Sequence, residues 1–424
     1  MPQAHRYAST WRRSLLVALA ILASAGALFF AGRALAPHSI DFVVYHRAAR
    51  SLLAGRTDLY SPTFALDPPM RYLYPPVFVL LVAPLGLLAY ENAFGLWFAL
   101  LVLAAAYVLV DAVRAWRPPG AWVYGLTIAF LAGPALLYGL RSANVHLLVV
   151  LMTIAAVVAW GRGRFAGAAV LVSVAGAMKV FPLYLLPFLV ALREWKLTAR
   201  IALLSTALWT LPLAYFGPAR CVDLYGQWWR DVAGNVERLR RESRLDVSRE
   251  SATVRWLSDV DYGPRIDRNY PQVHVVSVSP AWARGAGKTL IGAVVLLTAV
   301  AVLRLRRSVA ERGARAAAAG SLCLSAQLLV GPYTTLLYLS GWLLPVLALP
   351  AAAAAQLPIL SRLRWSLLAL GIVNVVLVLV PGAAPHRALE AWGVYTLISA
   401  ALWSLSLWVA WRFPRRRCEH AGRV

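Results

Sequence analysis

Charge is what this chain has least of. Asp, Glu, Lys and Arg make up 14% of its 424 residues, roughly half the share of an average soluble domain. Acid is the scarcer sign: 18 Asp and Glu stand against 42 Lys and Arg, a formal net charge of +24. Three cysteines, Cys221, Cys323 and Cys418, are too few for a disulfide framework or a thiolate metal site. The sequence has no GxGxxG and no HExxH, and His46, His146, His274 and His386 stand at no metal-ligand spacing. Gly285-Ala286-Gly287-Lys288-Thr289 has the tail of a phosphate loop but neither its first glycine nor a preceding strand, and is read as chance. These absences exclude a soluble globular enzyme and a disordered basic tail. They also exclude a nucleic-acid binder, which would need more polar surface to stay in solution.

What is there instead is apolar: 60% of the residues, against about 45–50% in an average soluble domain. A membrane-crossing helix needs about 20 mostly apolar residues. Runs of this kind lie near 14–36, 92–113, 121–139, 144–160, 164–178, 181–193, 198–216, 286–304, 312–331, 335–354, 361–381 and 389–412, which predicts an all-α polytopic membrane protein of twelve spans. A shorter run, Val77 to Leu88, follows Pro75-Pro76 and reads as re-entrant. The first run follows Arg6, Arg12 and Arg13 and is longer than the apolar part of a signal peptide, so it reads as a retained anchor.

Basic residues orient the chain, because cytoplasmic turns carry the excess of Lys and Arg. Arg12-Arg13 at one end and Arg415-Arg416-Arg417 at the other place both termini in the cytoplasm of a multi-pass inner or plasma membrane protein. With twelve spans, the turns holding Arg114/Arg117, Arg162/Arg164, Arg193/Lys196/Arg200, Arg304/Arg306/Arg307 and Arg362/Arg364 all fall inside. The chain is then one integral membrane domain, 1–424, with two long outer segments, 37–74 and 217–285. Of the 18 acids, 12 lie in those two segments, so most of the +24 is an orientation signal rather than a sign of an acidic partner.

Polar groups at membrane depth are costly and are therefore functional suspects. Here they gather at the outer ends of the predicted helices. Asp41-Phe42-Val43-Val44-Tyr45-His46-Arg47-Ala48-Ala49 repeats at helical spacing and predicts an amphipathic helix lying on the membrane surface at the outer face and ending near Gly55. Asp41 stands at its start, either as a helix cap or as a carboxylate able to take a proton from a sugar hydroxyl. Arg71-Tyr72-Leu73-Tyr74-Pro75-Pro76 forms an extended approach to the membrane. Its tyrosines read either as an interfacial belt or, with Arg71, as a sugar- or phosphate-binding rim. Asn144 opens a middle span. Lys179, one of only three lysines, stands between two short apolar segments, either snorkelling at a helix end or meeting an anion.

The order of these features resembles glycosyltransferase family 87, the polyprenol-phosphate-mannose-dependent mannosyltransferases, over roughly residues 38–350. It runs Asp-Phe-x-x-Tyr, Leu-x-x-Gly with a following Leu-Tyr, Tyr-x-Tyr-Pro-Pro, an Asn at an outer helix start, Lys-x-x-Pro, a long outer loop and a Pro-containing motif near residue 332. The resemblance implies a GT-C-type bundle of about twelve helices. It implies transfer of a hexose, mannose first, from a polyprenyl-phosphate sugar to a lipid or glycan acceptor at the outer face, with inversion and without metal, nucleotide or other cofactor. Asp41 matches the family's base. Lys179 would hold the donor phosphate, helped by Arg71. Tyr45, Tyr72, Tyr74, Asn144 and Tyr338 would line the substrate cavity. The chain departs from the pattern at Arg141-Ser142, where Gly-Gln is usual, at Arg249-Glu250-Ser251, where Asn-Gln-Ser is usual, and at Gly331-Pro332-Tyr333, which lacks a frequent histidine. A transporter or lipid flippase is the competing class. It would show inverted repeats with broken helices in matching positions, and none is visible.

Overall fold

The computed structural model describes residues 23–39, 41–60, 72–116, 121–230, 249–259, 273, 275–308, 311–331, 340–353, 357–379 and 392–413. Among the described residues the chain is helical, with no strand. The helices are α1 (Ala23–Leu35), α2 (Phe42–Leu53), α3 (Pro76–Val82), α4 (Tyr90–Trp116), α5 (Ala121–Thr127), α6 (Gly133–Ser142), α7 (Val145–Gly161), α8 (Phe165–Met178) and α9 (Leu185–Ala191). They continue with α10 (Trp195–Phe216), α11 (Pro218–Trp228), α12 (Arg249–Leu257), α13 (Pro280–Arg306), α14 (Arg312–Val330), α15 (Leu343–Ala353), α16 (Leu357–Leu379) and α17 (Val394–Arg412). Short 3-10 turns at Ala83–Leu87 and Phe181–Tyr184 extend α3 and precede α9.

Six of these stretches are long and apolar enough to cross a membrane: Tyr90–Trp116, Gly125–Ser142, Trp195–Phe216, Pro280–Arg306, Arg312–Val330 and Val394–Arg412. Shorter apolar helices accompany them, α7 and α8 included. The protein is thus a polytopic, all-helical membrane protein. The apolar run at Val77–Leu88 forms α3 and its 3-10 extension, too short to span. The Gly285–Thr289 motif lies inside α13, where Thr289 Oγ1 donates to the Gly285 carbonyl at 3.1 Å, so no loop exists there to cradle a phosphate.

The centre of the bundle is α7. Its sequence is apolar on every side, and it is buried on every side, as such a helix must be. It packs on α4, α8 and α14. The contact with α14 runs through Gly313, Ala316 and Gly320: a Cβ on Gly320 would come within 2.8 Å of a Val157 methyl, so the small residue lets the helices approach closely. Helices further out keep one greasy face bare. Leu96, Leu100, Leu103 and Tyr107 of α4 and Leu203 of α10 are exposed, as lipid-facing residues are.

Between α5 and α6 the helix runs through a π turn at Ile128–Ala132, just before Pro134. Proline has no N–H and cannot donate four residues back, which leaves the Phe130 carbonyl without its helical donor. Asn374 of α16 supplies the replacement: its buried Nδ2 donates to the Phe130 and Leu131 carbonyls at 2.9 and 3.1 Å. One buried amide therefore compensates the bend and ties α16 to it.

Candidate active site

The outer-face helix predicted from residue 41 onward is α2. Its buried face is Phe42, Tyr45, His46, Ala48, Ala49 and Leu52, while Arg47 and Arg50 are exposed. That face packs on protein rather than lying on the membrane surface, chiefly on the 3-10 turn at Ala83–Leu87 and α3, with α4 beyond. Gly86 permits this, since a Cβ there would come within 2.8 Å of the Ala49 backbone. His46 Nε2 donates to the Leu88 carbonyl at 3.0 Å and pins the same junction. The helix ends where Gly55 turns left-handed, φ +74°.

Asp41 precedes the first turn of α2 but does not cap it. The carboxylate makes no capping hydrogen bond. Ser39 Oγ accepts the Phe42 N–H instead, at 3.3 Å. Asp41 Oδ2 accepts from Asn144 Nδ2 at 3.0 Å, across 103 residues of chain. Of the two readings of Asp41, the helix cap is the one its geometry does not use.

Asn144 is held in turn. It is buried and extended, at the N-cap of α7, where its Oδ1 accepts the His146 N–H at 2.7 Å. Because the amide oxygen is engaged by the helix, the amide nitrogen is the end that faces Asp41. The preceding Ala143 carries a left-handed backbone, φ 50° and ψ 35°, a conformation that costs an L-residue about 1–2 kcal/mol. The Trp97 indole of α4 holds that turn by donating to the Ala143 carbonyl at 2.9 Å. The bend between α6 and α7 is what brings Asn144 to Asp41.

Lys179 ends α8 in an extended conformation (φ −146°, ψ 133°), before Phe181-Pro182 begin the next turn. Its ammonium lies 5.6 Å from the centre of the Tyr74 ring, a cation–π distance, and its charge reaches Asp41. Burial raises the Asp41 carboxyl above its ordinary 3.8, and the Asn144 hydrogen bond and the Lys179 charge partly offset that rise. The result is a carboxylate that accepts a proton more readily than an exposed one and stays beside a cation.

The tyrosines divide into two kinds. Tyr45 and Tyr74 join hydroxyl to hydroxyl at 2.8 Å, and the Val145 N–H donates to the Tyr45 oxygen at 3.1 Å. Tyr74 is only partly buried and touches Lys179. Tyr72 is buried behind it, bonded to the Pro75 carbonyl at 3.3 Å and packed against the rings of Tyr60 and Tyr74. Tyr60 in turn donates to the Tyr74 carbonyl at 2.6 Å. Tyr72 and Tyr60 thus support Tyr74 from behind. Of the predicted residues, Asp41, Tyr45, Tyr74, Asn144 and Lys179 converge on one place, Tyr72 backs it, and Arg71 and Tyr338 lie outside the described residues.

Sequence reasoning missed Trp97, the strained Ala143, and His146, whose buried ring packs on Phe181 at 5.0 Å beneath Asn144. A polar residue followed by a long apolar run is the signal that marks an N-cap, and it was available at Asn144. Nothing local marks Trp97. Among the described residues no cluster of His, Cys, Asp or Glu has the makings of a metal site.

A family model, that of glycosyltransferase family 87, matches residues 72–332, well over half of the chain. The matched stretch takes in Tyr72, Tyr74, Asn144 and Lys179, while Asp41 and Tyr45 precede it and are joined to it by the hydrogen bonds above. Comparison with curated proteins and with solved structures finds no match.

Proposed function

The chain belongs to glycosyltransferase family 87, and from that premise we propose that this membrane glycosyltransferase takes its hexose, mannose first, from a polyprenyl-phosphate sugar and works at the outer face. The observation that carries the reading is the meeting of a half-buried carboxylate, Asp41, with a half-buried ammonium, Lys179, across the Asn144 and Tyr74 side chains. The acceptor hydroxyl oxygen attacks the anomeric carbon. The carbon–oxygen bond to phosphate breaks, and the polyprenyl phosphate leaves with the bond's electrons. Asp41 takes the hydroxyl proton. Attack opposite the leaving group inverts the anomeric centre.

Lys179 answers the charge that grows on the departing phosphate. A cation fixed where negative charge develops stabilises the transition state, and it does so most strongly where water is excluded. The extended Lys179 backbone and the Tyr74 ring hold the ammonium in place before substrate arrives. A lipid-borne donor also needs apolar room beside the charged head. A cavity of about 450 Å³ between α9, α13 and α14, lined by Tyr184, Phe188, Val295, Val302, Ala326 and Val330 among others, is the apolar room we assign to it; Tyr184 follows Lys179 by five residues in the chain. The fold is read as GT-C-type, with both termini cytoplasmic and 37–74 and 217–285 outside.

The test is transfer of label from radiolabelled polyprenyl-phosphate mannose, and from a panel of other polyprenyl-phosphate hexoses, to membrane lipid and glycan acceptors by the purified protein. Wild type should transfer, and Asp41→Asn should lower the rate by roughly 10²- to 10⁴-fold, the usual contribution of a general base, with the fold retained. Unchanged transfer in that variant removes Asp41 as base. No transfer from any polyprenyl sugar removes the donor class. A cysteine introduced between residues 231 and 248 should react with an impermeant reagent from outside the cell, and reaction only after permeabilisation reverses the orientation.

A further inference from the structure

The hydroxyl pair Tyr45–Tyr74 has a direction. Tyr45 is fully buried, and its oxygen already accepts the Val145 N–H at 3.1 Å. Its own proton must still be satisfied, because a buried hydroxyl rarely goes without an acceptor. The Tyr74 oxygen, 2.8 Å away, is the neighbour that can take it. Tyr45 therefore donates and Tyr74 accepts, and the chain runs from the first backbone N–H of α7 through Tyr45 to Tyr74. Each hydrogen bond accepted by a hydroxyl makes it a better donor in turn. Burial raises the Tyr45 phenol well above its ordinary 10.0, so this link stays protonated at any working pH.

The chain ends beside the cation. Tyr74 is the partly exposed member, and Lys179 sits on its ring. Its backbone is fixed by Tyr60 and its ring by Tyr72 and Phe78, the latter at 4.8 Å between ring centres. It is thus a rigid phenol, oriented as an acceptor on its buried side, standing next to an ammonium.

Resting on the donor reading above, we propose that the Tyr74 hydroxyl donates a hydrogen bond to the phosphate of the polyprenyl donor, forming a two-point phosphate clamp with Lys179, and that Tyr45 is its positioning residue. Tyr74 binds the phosphate through a neutral donor and Lys179 through charge. Two donors of different kind fix the orientation of a tetrahedral phosphate, which a lone ammonium, a point charge on a flexible stem, does not. Phosphate binding and leaving-group stabilisation then share the same two groups.

The test uses undecaprenyl monophosphate, without sugar, and the purified full-length protein in nanodiscs. Wild type should bind it. Tyr74→Phe keeps the ring under Lys179 and removes only the hydroxyl, and should weaken binding roughly tenfold or more, the scale of a hydrogen bond to a charged group. Tyr45→Phe should weaken it by less. The decisive measurement is the double variant: Tyr45→Phe should add nothing on top of Tyr74→Phe, because it acts through that hydroxyl. Additive losses would make Tyr45 a merely structural residue and overturn the chain. Full affinity in Tyr74→Phe with loss in Lys179→Met would overturn the clamp and leave the donor reading standing. No binding by wild type would overturn both. Far-ultraviolet circular dichroism and the unfolding midpoint of each variant establish that the fold is retained, and Tyr74→Trp, which keeps a ring and an N–H donor, offers a second test if Tyr74→Phe fails to fold: its binding should exceed that of Tyr74→Leu.

Discussion

The two ends of α7 each hold an aspartate, and they hold it differently. At the N-terminal end Asp41 is half-buried and meets one neutral amide donor, Asn144, with the Lys179 charge nearby. Just past the C-terminal end Arg162 meets Asp111 of α4, with Nη1 at 2.9 and 2.8 Å from the two carboxylate oxygens and Nη2 on the Asp111 carbonyl. That pair is about 30% exposed on each side. The helix between them is 17 residues, on the order of 25 Å. The Arg162 bridge matches every oxygen with a donor and leaves the carboxylate nothing further to do. Asp41 has the Asn144 amide as donor and a raised proton affinity, which is what the proposed base requires. On the proposed reading, the structural acid is neutralised by its neighbours and the base is only oriented by them.

The comparison breaks most sharply if the two ends are made alike. Asn144→Asp places a second carboxylate against Asp41, and two carboxylates that close share a proton. The Asp41 pair should then hold a proton at neutral pH, transfer should fall at least tenfold, and the acid side of the rate–pH profile should move upward. A profile that stays in place shows that Asp41 does not titrate in the working enzyme.

The next largest effect concerns pH. A carboxyl raised by burial contributes stability that is fully present below its ordinary 3.8 and is lost as pH rises through its higher folded value. Asp41→Asn removes that loss. The variant should unfold at a higher temperature than wild type at pH 7 and at no higher temperature near pH 3, while its activity is gone, the trade-off expected of a strained catalytic group. Wild-type transfer should decline on the acid side at a pH above 3.8, as the base takes up its proton. Equal melting temperatures at both pH values remove the claim that burial of Asp41 costs stability.

At the other end, Asp111→Ala should cost about 1 kcal/mol or less, in the range of partly exposed ion pairs, and leave transfer within about twofold. Loss of activity there would mean that the two ends are coupled. The smallest effect is expected at Ala143→Gly. Relief of the left-handed strain, about 1–2 kcal/mol, is largely offset by glycine's greater freedom when unfolded, about 0.5–1 kcal/mol. A gain of under about 1 kcal/mol in unfolding free energy is expected, and a loss would show that the turn is not strained.

Much of this molecule is legible in the order of its residues. Long apolar runs bounded by arginine predict the helices, because lipid requires every backbone group to be bonded within its own segment. Tyr90–Trp116 and Arg312–Val330 appear almost where the runs lie. The 41–55 segment shows its helix by spacing and its stop by Gly55. Candidate residues stand out because polar groups are rare here, and Asp41, Asn144 and Lys179 do converge. Less was visible where partners are distant. No local pattern tells that Asp41 leaves its own helix uncapped, that Tyr72 supports while Tyr74 faces the site, or that Asn374 answers for the missing N–H of Pro134.

The sequence alone therefore determined the class, the long apolar helices and the short set of polar residues worth suspecting. These follow from composition and local period, which act over a few residues. The tertiary structure decided which of them meet. It put Ser39 at the cap so that Asp41 is available to Asn144 across 103 residues, brought the Tyr45 and Tyr74 hydroxyls to 2.8 Å, and set Lys179 on a ring. Those choices depend on which distant groups meet in a buried place, and burial is what makes a single unsatisfied proton or charge expensive enough to fix an orientation.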